Sequence, residues 1–258
     1  MNLLLLEAHQ LRGTRAVLSA AQARHAREVL HVVTGQDVRV GVLDGPRGIG
    51  RIVAIGDAVE LECAFEPQPP PAAAIDLLLA LPRPKVMRRL WAQLAALGVG
   101  RIILTNAARV ERNYFDTHVL DVETYRPLLI EGLQQAQDTH LPRVSIYRRF
   151  RPLVEDELDP LSPGSLQLVA HPSPDAAPIA GAWTSDAARV LLAVGPEGGW
   201  DAFELRVLRD RGFRVVSLGT RTLRADTACV ALLAALAGGR DVRQPPPAAR
   251  RLSAGHDA

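Results

Sequence analysis

The 258-residue chain predicts an α/β protein: a mostly parallel sheet covered by helices, preceded by a small β-barrel. Three observations carry this reading. From residue 75 onward, short apolar runs bounded by Gly or Pro alternate with segments of helical period, the rhythm of strand–helix–strand units. Before residue 66 the pattern is one of short strands at close spacing with turn signals between them, which reads as a small barrel. Between the two lies Glu66-Pro67-Gln68-Pro69-Pro70-Pro71-Ala72, where consecutive prolines stiffen a linker and cannot continue a sheet. The expected division is therefore a barrel at 1–66, a Pro-rich linker at 67–73, an α/β unit at 74–241 and a disordered tail at 242–258. The tail carries Pro245-Pro246-Pro247 and scattered charges.

In the first unit, Leu3–Leu6 and Ala16–Leu18 are short strand candidates. Ser19 is placed to cap a helix from Ala20 to Val32, with Ala23, Ala26, Val29, Leu30 and Val33 on one face. Asp37–Leu43 alternates, with Val38, Val40 and Val42 on one side. Asp44-Gly45-Pro46-Arg47-Gly48 then turns into a strand at Ile49–Ile55, and Ala58–Phe65 is another. A barrel of this kind either binds RNA or braces its neighbour.

In the second unit, Ile75–Leu81 is an apolar strand, and Pro84 opens a helix that Gly98 ends after Leu97. Val86, Leu90, Leu94 and Leu97 form its stripe, while Lys85, Arg88 and Arg89 lie elsewhere on it. Arg101–Thr105 is the next strand, and Asp121 is placed to cap a helix through Leu128, Leu129 and Leu133 that stops before Pro142. A strand at Val144–Tyr147, a short helix at Leu153–Leu158 and a strand at Leu166–His171 follow. Val190–Val194 is a buried strand running into Gly195-Pro196-Glu197-Gly198-Gly199. Asp201 and Glu204 form a capping-box pattern for a helix with Phe203, Leu205, Val207 and Leu208 as apolar positions and Gly212 at its end. Val215–Gly219 leads through Thr220-Arg221-Thr222-Leu223-Arg224 into a last helix, Asp226–Ala237. Two strands thus end in glycine-bearing loops that feed helices, and ligands of open α/β sheets bind beyond the carboxyl ends of strands.

Composition narrows the class. Hydrophobic residues make up 48% and charged residues 22%, ordinary for a globular protein in water. Leu3–Leu6 is too short for a signal segment, Glu7 interrupts it, and no other apolar run would span a bilayer; a cytoplasmic protein with no membrane partner is expected. Cys63, Cys229 and the seven histidines show neither disulfide nor metal-ligand spacing, so no metal is expected. Net charge is only +2, but Arg83 to Arg151 holds twelve Lys or Arg against six acids. Such an excess fits nucleic-acid contact, and a preference for arginine codons explains it equally well: 29 of the 30 basic residues are Arg.

By pattern alone, Gly195–Gly199 is either a tight turn needing positive φ or a ligand loop, and His171 before Pro172 either a packed histidine or a site residue. The loop lacks both the P-loop lysine and the dinucleotide glycine spacing. "LLAVGPEGGWDAFEL" and "LGTRTLRADTA" together are more specific. With "ARHAREVLHVVTGQDVRVGVLDG", "ALGVGRIILTNAARVER", "EGLQQAQDTHLPRV" and the His171-Pro172 pair, they resemble the ribosomal small-subunit RNA (uridine-N3) methyltransferase family of the SPOUT superfamily. The resemblance covers nearly the whole chain.

That resemblance implies a PUA-like RNA-binding barrel joined to a knotted domain that binds S-adenosylmethionine and dimerises. It implies ribosomal RNA, or the small ribosomal subunit, as the partner. Three loops would hold the cofactor, with His171, Val194, Gly195, Gly198, Gly199, Leu218, Gly219 and Leu223 as contact residues. Arg224, Asp226 and Glu197 are the candidates on the nucleotide side, where the N3 proton must leave. Asp226 is equally placed to cap the last helix, and Arg224 to brace the loop against Asp226 or Glu197. The chain departs from the family at Gln93, Ala96, Gln134, Asp138 and Asp226, positions that affect the nucleotide recognised more than the reaction. A relative acting on another RNA position, or a non-catalytic RNA-binding protein of the same fold, stays open.

Overall fold

The computed structural model describes residues 3–183 and 187–241; the tail expected at 242–258 lies outside them. Residues up to Phe65 build one six-stranded sheet: β1 (Leu4–Leu6), β2 (Leu11–Arg12), β3 (Arg15–Val17), β4 (Asp37–Val42), β5 (Arg47–Ile55) and β6 (Val59–Phe65), in the order β1-β4-β5-β6-β3-β2. The β1–β4 pair is parallel and the other pairs are antiparallel. Helix α1 (Ala20–Glu28) starts from a capping box in which the Ser19 hydroxyl accepts the Gln22 N–H and the Gln22 side chain accepts the Ser19 N–H. It is shorter than its apolar spacing predicts. The chain leaves the helix after Glu28, His31 takes a φ of 49°, and Val32 turns inward while Val29 and Val33 are exposed. Leu4, Leu6, Ala23, Ala26, Val38, Val40, Ile52 and Leu61 share a small apolar core.

The second sheet has seven strands: β7 (Ile75–Ala80), β8 (Val99–Thr105), β9 (Arg143–Tyr147), β10 (Leu166–Ala170), β11 (Ala177–Pro178), β12 (Val190–Val194) and β13 (Arg214–Ser217). All pairs are parallel, in the order β11-β13-β10-β12-β7-β8-β9. β7 and β12 are buried at every position, which is why β12 reads as a continuous apolar run; β7 does so except at Asp76, whose buried carboxylate accepts from Ser162 Oγ at 2.8 Å and Arg189 Nη2 at 2.7 Å.

The helices of this unit are α2 (Pro84–Ala96), α3 (Val122–Ala136), α4 (Phe150–Pro152), α5 (Leu158–Leu161), α6 (Ala202–Asp210) and α7 (Ala225–Asp241). A π-helical segment, Leu153–Glu157, joins α4 to α5, so the short helix expected at 153–158 is the middle of a longer helical stretch. Asp121 sits at the start of α3, where its carbonyl accepts the Thr124 and Tyr125 N–H groups at 2.9 Å, but its carboxylate bonds no helix N–H and instead pairs with His118 Nδ1 at 2.9 Å. α2 and α3 cross in close contact at Gly132, where a Cβ would lie 2.0 Å from the Ala92 carbonyl oxygen.

β1 joins the two parts. Its alternation sends Leu4 and Leu6 into the small core, while Leu5, with Leu3 just before the strand, enters the large one. Leu3 N–H donates to the Gln134 carbonyl at 3.0 Å, and Arg126 pairs with Glu7 at 2.6 Å. Thr139 accepts the Asp44 N–H at its carbonyl (2.8 Å) and donates its hydroxyl to the Gly45 carbonyl (2.7 Å).

Candidate active site

β13, β10 and β12 are adjacent and parallel, so the segments after them leave from one edge of the sheet. His171 follows β10, Gly195–Gly199 follows β12 and Leu218–Leu223 follows β13. Together they enclose a cavity of about 220 Å³. His171, Val194, Gly195, Gly198, Gly199, Leu218, Gly219 and Leu223 all line it, with Ala225, Ala228 and Leu232 of α7 contributing a further wall.

The glycines have distinct reasons. Gly199 has a φ of 71°, and its N–H donates to the Pro196 carbonyl at 2.8 Å, closing the turn. A Cβ there would meet nothing within 4 Å, so the backbone conformation, and not crowding by protein, calls for glycine. At Gly198 the reason is crowding: a Cβ would lie 2.7 Å from Arg109 Cδ. Trp200 anchors the loop from below, 2% exposed with its ring 5.5 Å from that of Phe150. Leu218 and Leu223 are large apolar side chains left 40% and 38% exposed, walls with no protein group to cover them.

Asp201 and Glu204 form the expected capping box: the Asp201 carboxylate accepts the Glu204 N–H at 2.7 Å and Glu204 Oε2 accepts the Asp201 N–H at 2.9 Å. Glu204 is itself buried, and its Oε1 accepts the Ala108 N–H at 2.6 Å. The same cap thus holds the segment after β8, from which Arg109 donates to the Gly198 carbonyl. Arg109 is a site residue that sequence reasoning missed; only its place in a loop after a strand marked it. Phe203, expected to be apolar and inward, is 41% exposed with the Arg206 guanidinium 5.5 Å from its ring. Glu204 takes the inward position beside it.

His171 donates its backbone N–H to Val216 at 3.0 Å, and its Nδ1 is buried without a partner. Burial pushes the imidazole below its usual range; the Arg209 charge adds to this, Asp175 opposes it and Arg109 adds again. The ring is therefore neutral at neutral pH.

A second depression of about 430 Å³ shares Glu197, Thr222, Leu223 and Ala225 with the first and adds Arg83, Arg224 and Asp226. All three nucleotide-side candidates meet there. The Arg224 side chain is 78% exposed, and its nearest acid is Asp226 at 3.8 Å. Asp226 is bound more tightly elsewhere: Oδ2 lies 2.7 Å from Arg89 Nη2, and Oδ1 accepts the Thr227 N–H at 3.0 Å. Burial raises the Asp226 pKa, but the Thr227 N–H, the Arg89 hydrogen bond and the charges of Arg224 and Arg89 outweigh it and hold the carboxyl below its usual range. Glu197 Oε1 accepts the Arg83 N–H at 3.1 Å, and Glu197 forms no ion pair among the described residues. Burial pushes the Cys229 thiol up to about 12, so it is no nucleophile. Among the described residues no cluster of His, Cys, Asp or Glu is arranged to hold a metal, and no helix is long and apolar enough to cross a membrane.

The chain is similar to known proteins in sequence and in fold. The chain is 29% identical over 259 aligned positions to "Ribosomal RNA small subunit methyltransferase E" of Treponema pallidum, covering 96% of this chain and 95% of the relative. The Synechocystis protein of that name is 29% identical over 240 positions, covering 90% and 75%. Among solved structures, Ribosomal RNA small subunit methyltransferase E of Neisseria gonorrhoeae, bound to S-adenosyl methionine, superposes with a TM-score of 0.76 at 21% identity over 92% of this chain and 97% of its own. A Legionella pneumophila protein in complex with the same cofactor gives 0.72 at 20% identity, with the same coverage. The family model described as an RNA methyltransferase domain matches residues 68–237, a span that contains the whole parallel sheet and every loop around the cavity: the chain belongs to the RNA methyltransferase domain family.

Proposed function

We propose that this protein is a cytoplasmic enzyme that methylates N3 of a uridine in small-subunit ribosomal RNA with S-adenosylmethionine as donor. One observation carries the reading: the eight residues expected to hold the cofactor line one cavity, and the three expected on the nucleotide side line the depression that opens from it. The cavity suits the donor in kind. Leu218 and Leu223 offer uncovered apolar walls, and Gly199 leaves open space beside exposed backbone, where an adenine edge can be met by main-chain groups.

When bound, the cofactor supplies an electrophilic methyl group on a sulfonium. The chain's own groups do the rest. Leu218 and Leu223 exclude water, and the loop backbones set the alignment, which contributes roughly 7–11 kcal/mol in well-oriented reactions. Arg224 donates to a uracil carbonyl or phosphate as a two-pronged guanidinium and stabilises the charge left when N3 gives up its proton. Asp226, held ionised by Arg89 and Thr227, is a weak proton acceptor whose charge lies 3.8 Å from the Arg224 guanidinium. Glu197, with one oxygen on the Arg83 N–H and a place in both depressions, accepts the proton.

Residues 1–66 form the PUA-like RNA-binding barrel in this reading, 67–73 the linker and 74–241 the catalytic unit. β13 lies between β10 and β11, although β11 directly follows β10 in the chain. This crossed strand order is the feature in keeping with the knot that the resemblance implies. The half-buried Val230 and Ala231 of α7 leave a small-residue face for a homodimer.

The test is calorimetric titration of S-adenosylmethionine into the Gly199→Val protein. Valine at positive φ strains the loop and fills open space, so affinity is expected to fall at least tenfold, about 1.4 kcal/mol, in a chain that stays folded. Unchanged binding would remove the cofactor assignment.

A further inference from the structure

We propose that the exposed face of α2 is a phosphate track that holds the RNA strand as it enters the Arg224 depression; this rests on the RNA reading above. α2 turns Val86, Met87, Leu90, Trp91, Leu94 and Ala95 into the core. Its opposite face begins with Lys85, Arg88 and Arg89, all exposed, at the i, i+3 and i+4 spacing that places side chains beside one another. Like charges at that spacing repel and weaken a helix, so folding alone gives no reason for them. Arg89 has an acid partner in Asp226. Among the described residues Lys85, Arg88 and Arg83 form no ion pair.

The stripe is continuous with the depression. Arg83 precedes Pro84 and lines the depression with Arg224, while Arg89 reaches it through Asp226. Along this surface five cations, Arg83, Lys85, Arg88, Arg89 and Arg224, accompany three carboxylates, Glu197 and Asp226 in the depression and Glu111, bonded to Tyr114, beside Arg83. An excess of that kind attracts a polyanion, and Lys and Arg are the usual partners of phosphate oxygens. Lys85 and Arg88 are not among the residues that line the depression. They meet the strand that carries the target base, not the base.

The experiment uses the full chain with Lys85→Gln and Arg88→Gln combined, and a protein-free small-subunit ribosomal RNA transcript as the probe. Each phosphate contact to a single strand adds about 0.7 to the slope of log affinity against log salt. The double variant is therefore expected to lose about 1.4 from that slope and to raise KM for RNA at least tenfold. Its kcat at saturating RNA, cofactor affinity and melting temperature should stay those of wild type. Arg151→Gln, which removes an exposed charge already paired with Glu155, should leave the slope unchanged. A double variant with the wild-type slope and KM, in a protein that methylates the transcript, would overturn the track alone. A wild-type protein that does not bind the transcript would overturn the RNA reading and the track with it.

Discussion

Arg224 is where the chemistry of single residues is most exposed to test. Its side chain is 78% exposed and 3.8 Å from Asp226, while Asp226 is held by Arg89 at 2.7 Å. A brace would show the reverse: a buried Arg224 on a short ion pair. Exposed pairs at such separations contribute little to stability. Arg224→Ala is therefore expected to lower methyl transfer at least tenfold, about 1.4 kcal/mol of transition-state stabilisation. Cofactor affinity and melting temperature should stay near wild type; equal losses of cofactor binding and turnover would return Arg224 to the role of a brace. Arg224 and the glycines were legible in the sequence because they sit in two contiguous motifs. Arg89 and Arg109 were not, since their partners Asp226 and Gly198 lie 137 and 89 residues away and no local pattern joins them.

At the scale of elements, local chemistry announced most boundaries. Ser19 and Asp201 begin helices through capping boxes, Pro84 opens α2, and Gly98 and Gly212 leave helices at φ values of 72° and 90°. Where tertiary contacts decide, local pattern carries no signal. Two-residue β11 carries no apolar run and exists only because β13 offers it an edge. Phe203 points outward because Glu204 is needed inward to hold both α6 and the Ala108 N–H. The α2–α3 crossing gives the sharpest test of packing. A methyl group at Gly132 would stand 2.0 Å from the Ala92 carbonyl oxygen and 2.8 Å from its carbon, backbone atoms that move only if the helices separate. Gly132→Ala should cost about 1–3 kcal/mol as overpacking, against a small gain in helix propensity. A urea midpoint lowered in that proportion at unchanged m supports the close crossing; an unchanged or raised midpoint would refute it.

Over the whole molecule, the change of rhythm after the proline segment announced two sheets, but their assembly was not readable. The order β11-β13-β10-β12-β7-β8-β9 gathers three loops at one edge through pairings of strands distant in sequence, which periodicity does not encode. β1 belongs to the first sheet yet lies against α3, and Leu3 and Leu5 help complete the large core. The first 66 residues thus brace the second unit as well as serving the RNA role proposed for them. In the proposed function, the cavity and the Arg224 depression together methylate a uridine at N3. The most direct test incubates the purified full chain with labelled S-adenosylmethionine and small-subunit ribosomal RNA from a strain lacking this protein, then maps the modified nucleotide. One cofactor-dependent N3-methyluridine is expected, formed at least tenfold more slowly with Arg224→Ala; no methyl transfer to RNA, or methyl groups on another base or atom, would overturn the proposed function.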